Sequence, residues 1–212
     1  MTKLIIFFGC DFGKLFKMDN YDKDREFSDR TFKNNEELFK RRLGEILGNR
    51  VITFNLASDR LDRDNSIDAI AIMDLVEELR VQYRFQNSKK NDKTYEPTLR
   101  LTRPNSRSDT QQNSEFFKID ENIKTGQPYP DVLMWGLVED GAIKRLEFVN
   151  VSKFYELFNN HRIQFKGDFE EYKGDGDILY MRQFKNSEFN YSGNSTFVVL
   201  PSKEECPEIY EF

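Results

Sequence analysis

Two spacings of apolar residues organise most of this chain. Between Asn34 and Gly48, Phe39, Leu43, Ile46 and Leu47 recur at helical intervals. Asn34 or Asn35 can cap this segment, Glu36 and Glu37 fall in its first turn, and Gly48 can close it. Glu36 shares the face of Phe39 and Leu43, whereas Glu37 points elsewhere. After Gly48 the period drops to two, and strands are predicted at 50–56, 67–73 and 79–85, joined by a charged loop from Asp59 to Ser66 and a turn near Asp74. In the third of these strands Leu79, Val81, Tyr83 and Phe85 share one face. Arg80, Gln82, Arg84 and Gln86 share the other. An apolar face opposite a wholly polar one sets this strand beside either solvent or a site.

The remainder is less regular. Leu99 and Leu101 suggest a short strand at 98–102, and Asp131–Val138 and Ala142–Val149 form a hairpin around Glu139-Asp140-Gly141. A short helix with Ser152 as its cap is predicted from Val151 to Phe158, then strands at 178–181 and 196–200. The run Leu4–Phe8 is expected to be a buried strand, since five apolar residues fall far short of the roughly 20 that cross a bilayer. Residues 14–31 read as a solvated connection, and the acidic tail from Glu204 to Phe212 as peripheral. This order of elements predicts an α/β fold, a mixed central β-sheet flanked by helices. Residues 1–212 form one domain in this scheme, with a mobile basic insertion at 86–128 whose segment Asn105–Asn113 shows no packing signal.

Composition narrows the chemistry. Phe occurs 20 times, so rings are expected to carry much of the core. Cys10 and Cys206 lie far apart, which suits a reducing cytoplasm, and a single His161 argues against His- and Cys-rich metal sites. Gly9, Gly13, Gly174 and Gly176 build no phosphate-cradling loop, and no nucleophile elbow accompanies His161. The net charge of −5 disfavours non-specific nucleic-acid binding by the whole surface. The local picture differs. From Arg80 to Arg107 eight basic residues (Arg80, Arg84, Lys89, Lys90, Lys93, Arg100, Arg103 and Arg107) accompany only Asp92 and Glu96. That local excess is what a phosphate-tracking groove would give, and a solvated loop would give it too.

The residues best suited to chemistry are Glu36 on the helix, Asp68 on the second strand, and Gln82 and Arg84 on the third. A carboxylate beside a neighbouring strand that offers an oxygen donor can hold Mg²⁺ or Mn²⁺, which favour oxygen ligands. A cation two residues further along faces the same side and can steady a phosphate. Equally, Asp68 can cap a strand end or pair with Arg80 or Arg84, and the polar face can be the wet side of an edge strand. Glu115 and Lys118 are placed to reach the same site from the other side.

The pattern over residues 34–86, with Ser66-Ile-Asp68-Ala-Ile-Ala and Val81-Gln-Tyr-Arg84, resembles the PD-(D/E)xK restriction-endonuclease-like superfamily, closest to its Mrr-type branch. The resemblance implies Asp68 and Gln82 as metal or water-positioning ligands, with Glu36 as the helix carboxylate. It implies a metal-dependent nuclease acting on DNA. Arg84 stands where that family has Lys, and its permanent charge cannot give up a proton at working pH. The alternative is a catalytically inactive module of the same fold that binds nucleic acid or a partner protein; a homodimer is compatible with both. A literal Pro130-Asp131 also occurs, with Glu147 on the next strand, but Val149 stands where that arrangement needs a cation.

Overall fold

The computed structural model describes residues 20–74, 78–88, 96–102, 114–165, 178–185 and 196–212. The strand expected at 4–8, Cys10, and the loop expected at 105–113 lie outside the described residues. The first element is a helix, α1 (Asn20–Asn34), over much of the stretch read as a solvated connection. Its packing face is sparse in apolar residues: Phe27 is partly buried and Phe32 fully, with Thr31 beside it. Phe32 is its main apolar anchor, stacking on Tyr83 at 4.5 Å and meeting Phe54 edge-on at 5.1 Å.

Next come α2 (Glu36–Leu47) and β1 (Val51–Leu56), close to the predicted bounds. Gly48 ends α2 in the left-handed conformation, φ 63°, which glycine adopts without strain. Phe39 and Leu43 are buried as expected, whereas Ile46 is exposed. The charged loop is a short helix, α3 (Asp59–Asn65), whose Ser58 cap accepts a hydrogen bond from the Leu61 N–H. It buries no residue, so no apolar stripe announced it. Then follow β2 (Ala69–Met73), β3 (Glu78–Asn87), β4 (Thr98–Thr102), α4 (Glu115–Thr125), β5 (Val132–Glu139), β6 (Ala142–Asn150) and α5 (Val151–Asn159). The α5 cap is Asn150, which accepts from the Lys153 N–H at 3.1 Å, two residues earlier than the predicted Ser152. The chain closes with β7 (Ile163–Phe165), β8 (Leu179–Lys185), β9 (Thr196–Val199) and a 3₁₀ turn (Pro207–Tyr210).

The architecture is α/β. The larger sheet has the order β1-β2-β3-β5-β6 and is mixed: β1, β2 and β3 are antiparallel, β3 and β5 parallel, β5 and β6 antiparallel. A parallel pair needs a crossover, and here the chain between β3 and β5 holds β4 and α4. The stretch read as least packed, 86–128, therefore contains a strand and a helix. A smaller sheet has the order β4-β9-β8-β7.

Each face of the larger sheet has its own core. Val81, Tyr83 and Phe85 pack with Phe32, Phe39 and Leu43 of α1 and α2. Leu133 and Val149 on the other side pack with Phe116 and Ile119 of α4, Phe154 and Tyr155 of α5, and Leu99 and Leu101 of β4. The tail is not peripheral, since Cys206 and Ile209 are buried in this second core. Among the described residues no helix is long and apolar enough to cross a membrane.

The β3–β5 contact leaves no room at Gly136. A Cβ there would stand 2.7 Å from Phe85 Cδ1, and the Phe85 ring is buried and stacked on Phe39. Gly136→Ala is therefore expected to lower unfolding free energy by about 1–3 kcal/mol, the usual cost of overpacking. Urea denaturation checks this; an unchanged midpoint would show that the Phe85 ring can move.

Candidate functional site

Because β3 is the third of five strands, its polar face is not the wet side of an edge. Its side chains enter the layer formed with β4 and α4. Gln86 donates to Thr98 Oγ1 at 3.2 Å, and Arg84 donates to both carboxylate oxygens of Glu115, the first residue of α4. Arg84 and Glu115 side chains are only 13% and 17% exposed. Glu115 also accepts the Arg100 backbone N–H at 2.9 Å, so it ties β3 to β4. The Arg84 and Arg100 guanidinium groups both sit over the Phe197 ring, at 5.3 and 5.7 Å.

Asp68, one residue before β2, lies against the backbone of β3. Its N–H donates to Val81 O at 2.9 Å, and its Oδ2 accepts the Tyr83 N–H at 2.8 Å, so it straddles Gln82. Burial pushes its carboxyl up to about 7; the Tyr83 N–H opposes the shift, the Glu115 charge reinforces it, and Arg25 and Arg84 oppose it more weakly. Desolvation thus outweighs both nearby cations. Gln82 itself is 3% exposed, and its Oε1 has no hydrogen-bond partner. An orphaned buried amide oxygen costs roughly 1–3 kcal/mol. The Asp68 carboxyl lies against the same segment of β3; its Oδ2 is already met by the Tyr83 N–H, and what remains there is the desolvation of its charged form.

The other sequence candidates are distributed as follows. Glu36 sits on α2 in an ion pair with Lys40 at 2.8 Å. Arg80 is gripped by Asp131, which takes its guanidinium at 2.6 and 2.9 Å and its backbone N–H at 2.8 Å. Lys89, Lys90, Lys93, Arg103 and Arg107 lie outside the described residues. Of the basic run, Arg80 and Arg84 are thus engaged by carboxylates, and Arg100 lies over Phe197. The Pro130-Asp131 alternative does not assemble. Glu147 pairs across the sheet with Trp135, four residues beyond Asp131, which is roughly 13 Å along a strand.

Two neighbours carried no sequence signal. Asp29 of α1 accepts the Tyr83 hydroxyl at 2.6 Å, and Arg25 bridges Asp29 at 3.8 Å and Asp62 of α3. Both belong to the stretch read as a connection. Lys118 donates to Arg63 O and so fastens α4 to α3, just ahead of Asp68. Among the described residues no three His, Cys, Asp or Glu side chains gather as a metal cage. No family model, curated protein or solved structure matches this chain.

Proposed function

We propose that this protein is a metal-dependent nuclease of restriction-endonuclease-like fold that acts on DNA by phosphodiester hydrolysis. The observation that carries it is the pairing of a desolvated Asp68 carboxyl with the buried, partnerless Gln82 Oε1. Mg²⁺ suits such a donor set, since it commonly takes one or two protein carboxylates and keeps several waters. Mn²⁺ accepts the same oxygens. Asp68 and Gln82 would hold the ion, which when bound supplies Lewis acidity to a phosphate oxygen and lowers the pKa of a water. Asp68 keeps its Tyr83 N–H bond, which fixes the carboxyl against β3. Gln82 contributes an oxygen without adding charge. Arg84, two residues along the same face, would steady the scissile phosphate with its planar fork. The succession of a helix, an antiparallel β1-β2-β3 meander, a further helix and a parallel β5 is compatible with this fold. A cytoplasmic location belongs to the same proposal, and Cys206 is a buried free thiol.

One observation favours a second reading. Arg84 is already neutralised by Glu115, which fits a catalytically inactive module that binds nucleic acid or a partner protein. Cleavage of mixed-sequence DNA with Mg²⁺ or Mn²⁺ separates the two. The nuclease is expected to cleave, and Asp68→Ala to lose at least about a hundredfold, the scale of a removed transition-state contact. Metal-independent or undiminished cleavage in Asp68→Ala would remove the assignment. DNA binding without cleavage would leave the second reading standing.

A further inference from the structure

We infer that the N-terminus of α4, together with Arg84 and the Arg100 backbone N–H, is a phosphate-binding site that the Glu115 carboxylate fills in the ligand-free protein. This deepens the nuclease proposal by locating the substrate phosphate and naming what must leave before it binds. Three sets of donors converge here. The Arg84 guanidinium and the Arg100 N–H are both spent on one carboxylate. The first amides of the eleven-residue α4 have no acceptor within the helix, since its first internal bond runs from the Lys118 N–H to Ser114 O. The third donor is unspent. Ser114, the residue at the cap, is 2% exposed, yet its Oγ makes no hydrogen bond, neither to the helix it precedes nor to anything else.

A serine in that position ordinarily accepts from the second or third amide. A buried hydroxyl left idle at the start of a helix, where the first amides have no acceptor within the helix itself, is a donor for a ligand oxygen. Glu115 supplies one negative charge and two oxygens to a setting that offers a planar guanidinium, a strand N–H, helix amides and a hydroxyl. A phosphate, with more charge and more acceptor oxygens, uses the whole set. The Arg84 and Arg100 guanidinium groups flanking Phe197 keep the surroundings electropositive. Release of Glu115 also matters to its neighbour, because its charge already acts on Asp68.

Glu115→Gln tests this in chelator, with inorganic phosphate as the calorimetric probe and a short single-stranded oligonucleotide as the second. The variant is expected to bind inorganic phosphate about tenfold more tightly than the unaltered protein, the worth of one charge-assisted contact. Adding Ser114→Ala or Arg84→Met should remove the gain. A parallel gain with the oligonucleotide assigns the site to the nucleic-acid backbone, and a gain with inorganic phosphate alone assigns it to free phosphate. A folded Glu115→Gln that binds phosphate no better overturns the site. If that variant does not fold, phosphate titrated into the unaltered protein must shift the amide resonances of Arg100, Phe116 and Phe117; shifts confined to other residues overturn it equally. Cleavage by the unaltered protein without any phosphate gain in the variant overturns this site alone. A phosphate gain without cleavage supports it while removing the nuclease proposal.

Discussion

Asp68→Asn is expected to abolish binding of Mg²⁺ and Mn²⁺ and, at pH 8 without metal, to raise unfolding free energy by about 2–4 kcal/mol. The two effects have one cause. The Asp68 carboxyl is pushed up to about 7 in the folded chain, chiefly by burial. In the unfolded chain it titrates near 4. Between those values the folded protein holds a proton that the unfolded chain has lost, so stability falls as pH rises from roughly 4 to 7 and is level above. Asparagine is neutral throughout, and its oxygen can still accept the Tyr83 N–H now held by Oδ2 at 2.8 Å. The variant should therefore be free of this slope, with no loss of backbone satisfaction. Metal affinity of the unaltered protein should climb about tenfold per pH unit below 7 and level off above it, because the bound form needs the carboxylate. Urea denaturation and metal calorimetry across pH 5–9 check both. If Asp68→Asn is the less stable protein at pH 8, burial is not what dominates at Asp68 and the proposed cation site loses its main support.

The strands around this site were legible because both periodicities are strong there. Phe39 and Leu43 mark one face of α2. Alternation along 79–85 separates the buried Val81, Tyr83 and Phe85 from the Gln82 and Arg84 face. The hairpin also followed from its turn, where Asp140 and Gly141 both take positive φ, 50° and 82°. What sequence alone could not supply was partnership. α1 hides its role behind a charge-rich surface and docks mainly through Phe32, so neither Arg25, whose charge acts on Asp68, nor Asp29, which holds the Tyr83 hydroxyl, gave any warning. The Arg84–Glu115 pair spans 31 residues of irregular pattern, and only the crossover that folds β4 and α4 onto β3 brings the two together. The same distance effect hid the tail, whose Ile209 enters a core built mostly far upstream.

Asp131→Ala should produce the opposite result to the Asp68 variant, lost stability with metal binding intact. Asp131 stands where β5 begins, and it holds Arg80 through the backbone N–H at 2.8 Å and the guanidinium at 2.6 and 2.9 Å, while its own N–H donates to Arg80 O at 2.8 Å. The pair thus closes the start of the parallel β3–β5 ladder, and Arg80 lies over the Tyr129 ring at 5.0 Å. Removing the carboxylate leaves an arginine and a strand N–H without their acceptor. Breaking a fully buried pair costs about 3–5 kcal/mol. This one is a third exposed on the arginine side, so solvent recovers part of that cost, and about 2–3 kcal/mol is expected. Asp131→Asn, which keeps an acceptor oxygen for the Arg80 N–H, should lose about half as much. The measurement is urea denaturation beside metal calorimetry on both variants. Loss of metal binding with stability unchanged would instead make the literal Pro130-Asp131 the metal centre. That outcome would require Arg80 to release Asp131, which the three short bonds between them oppose.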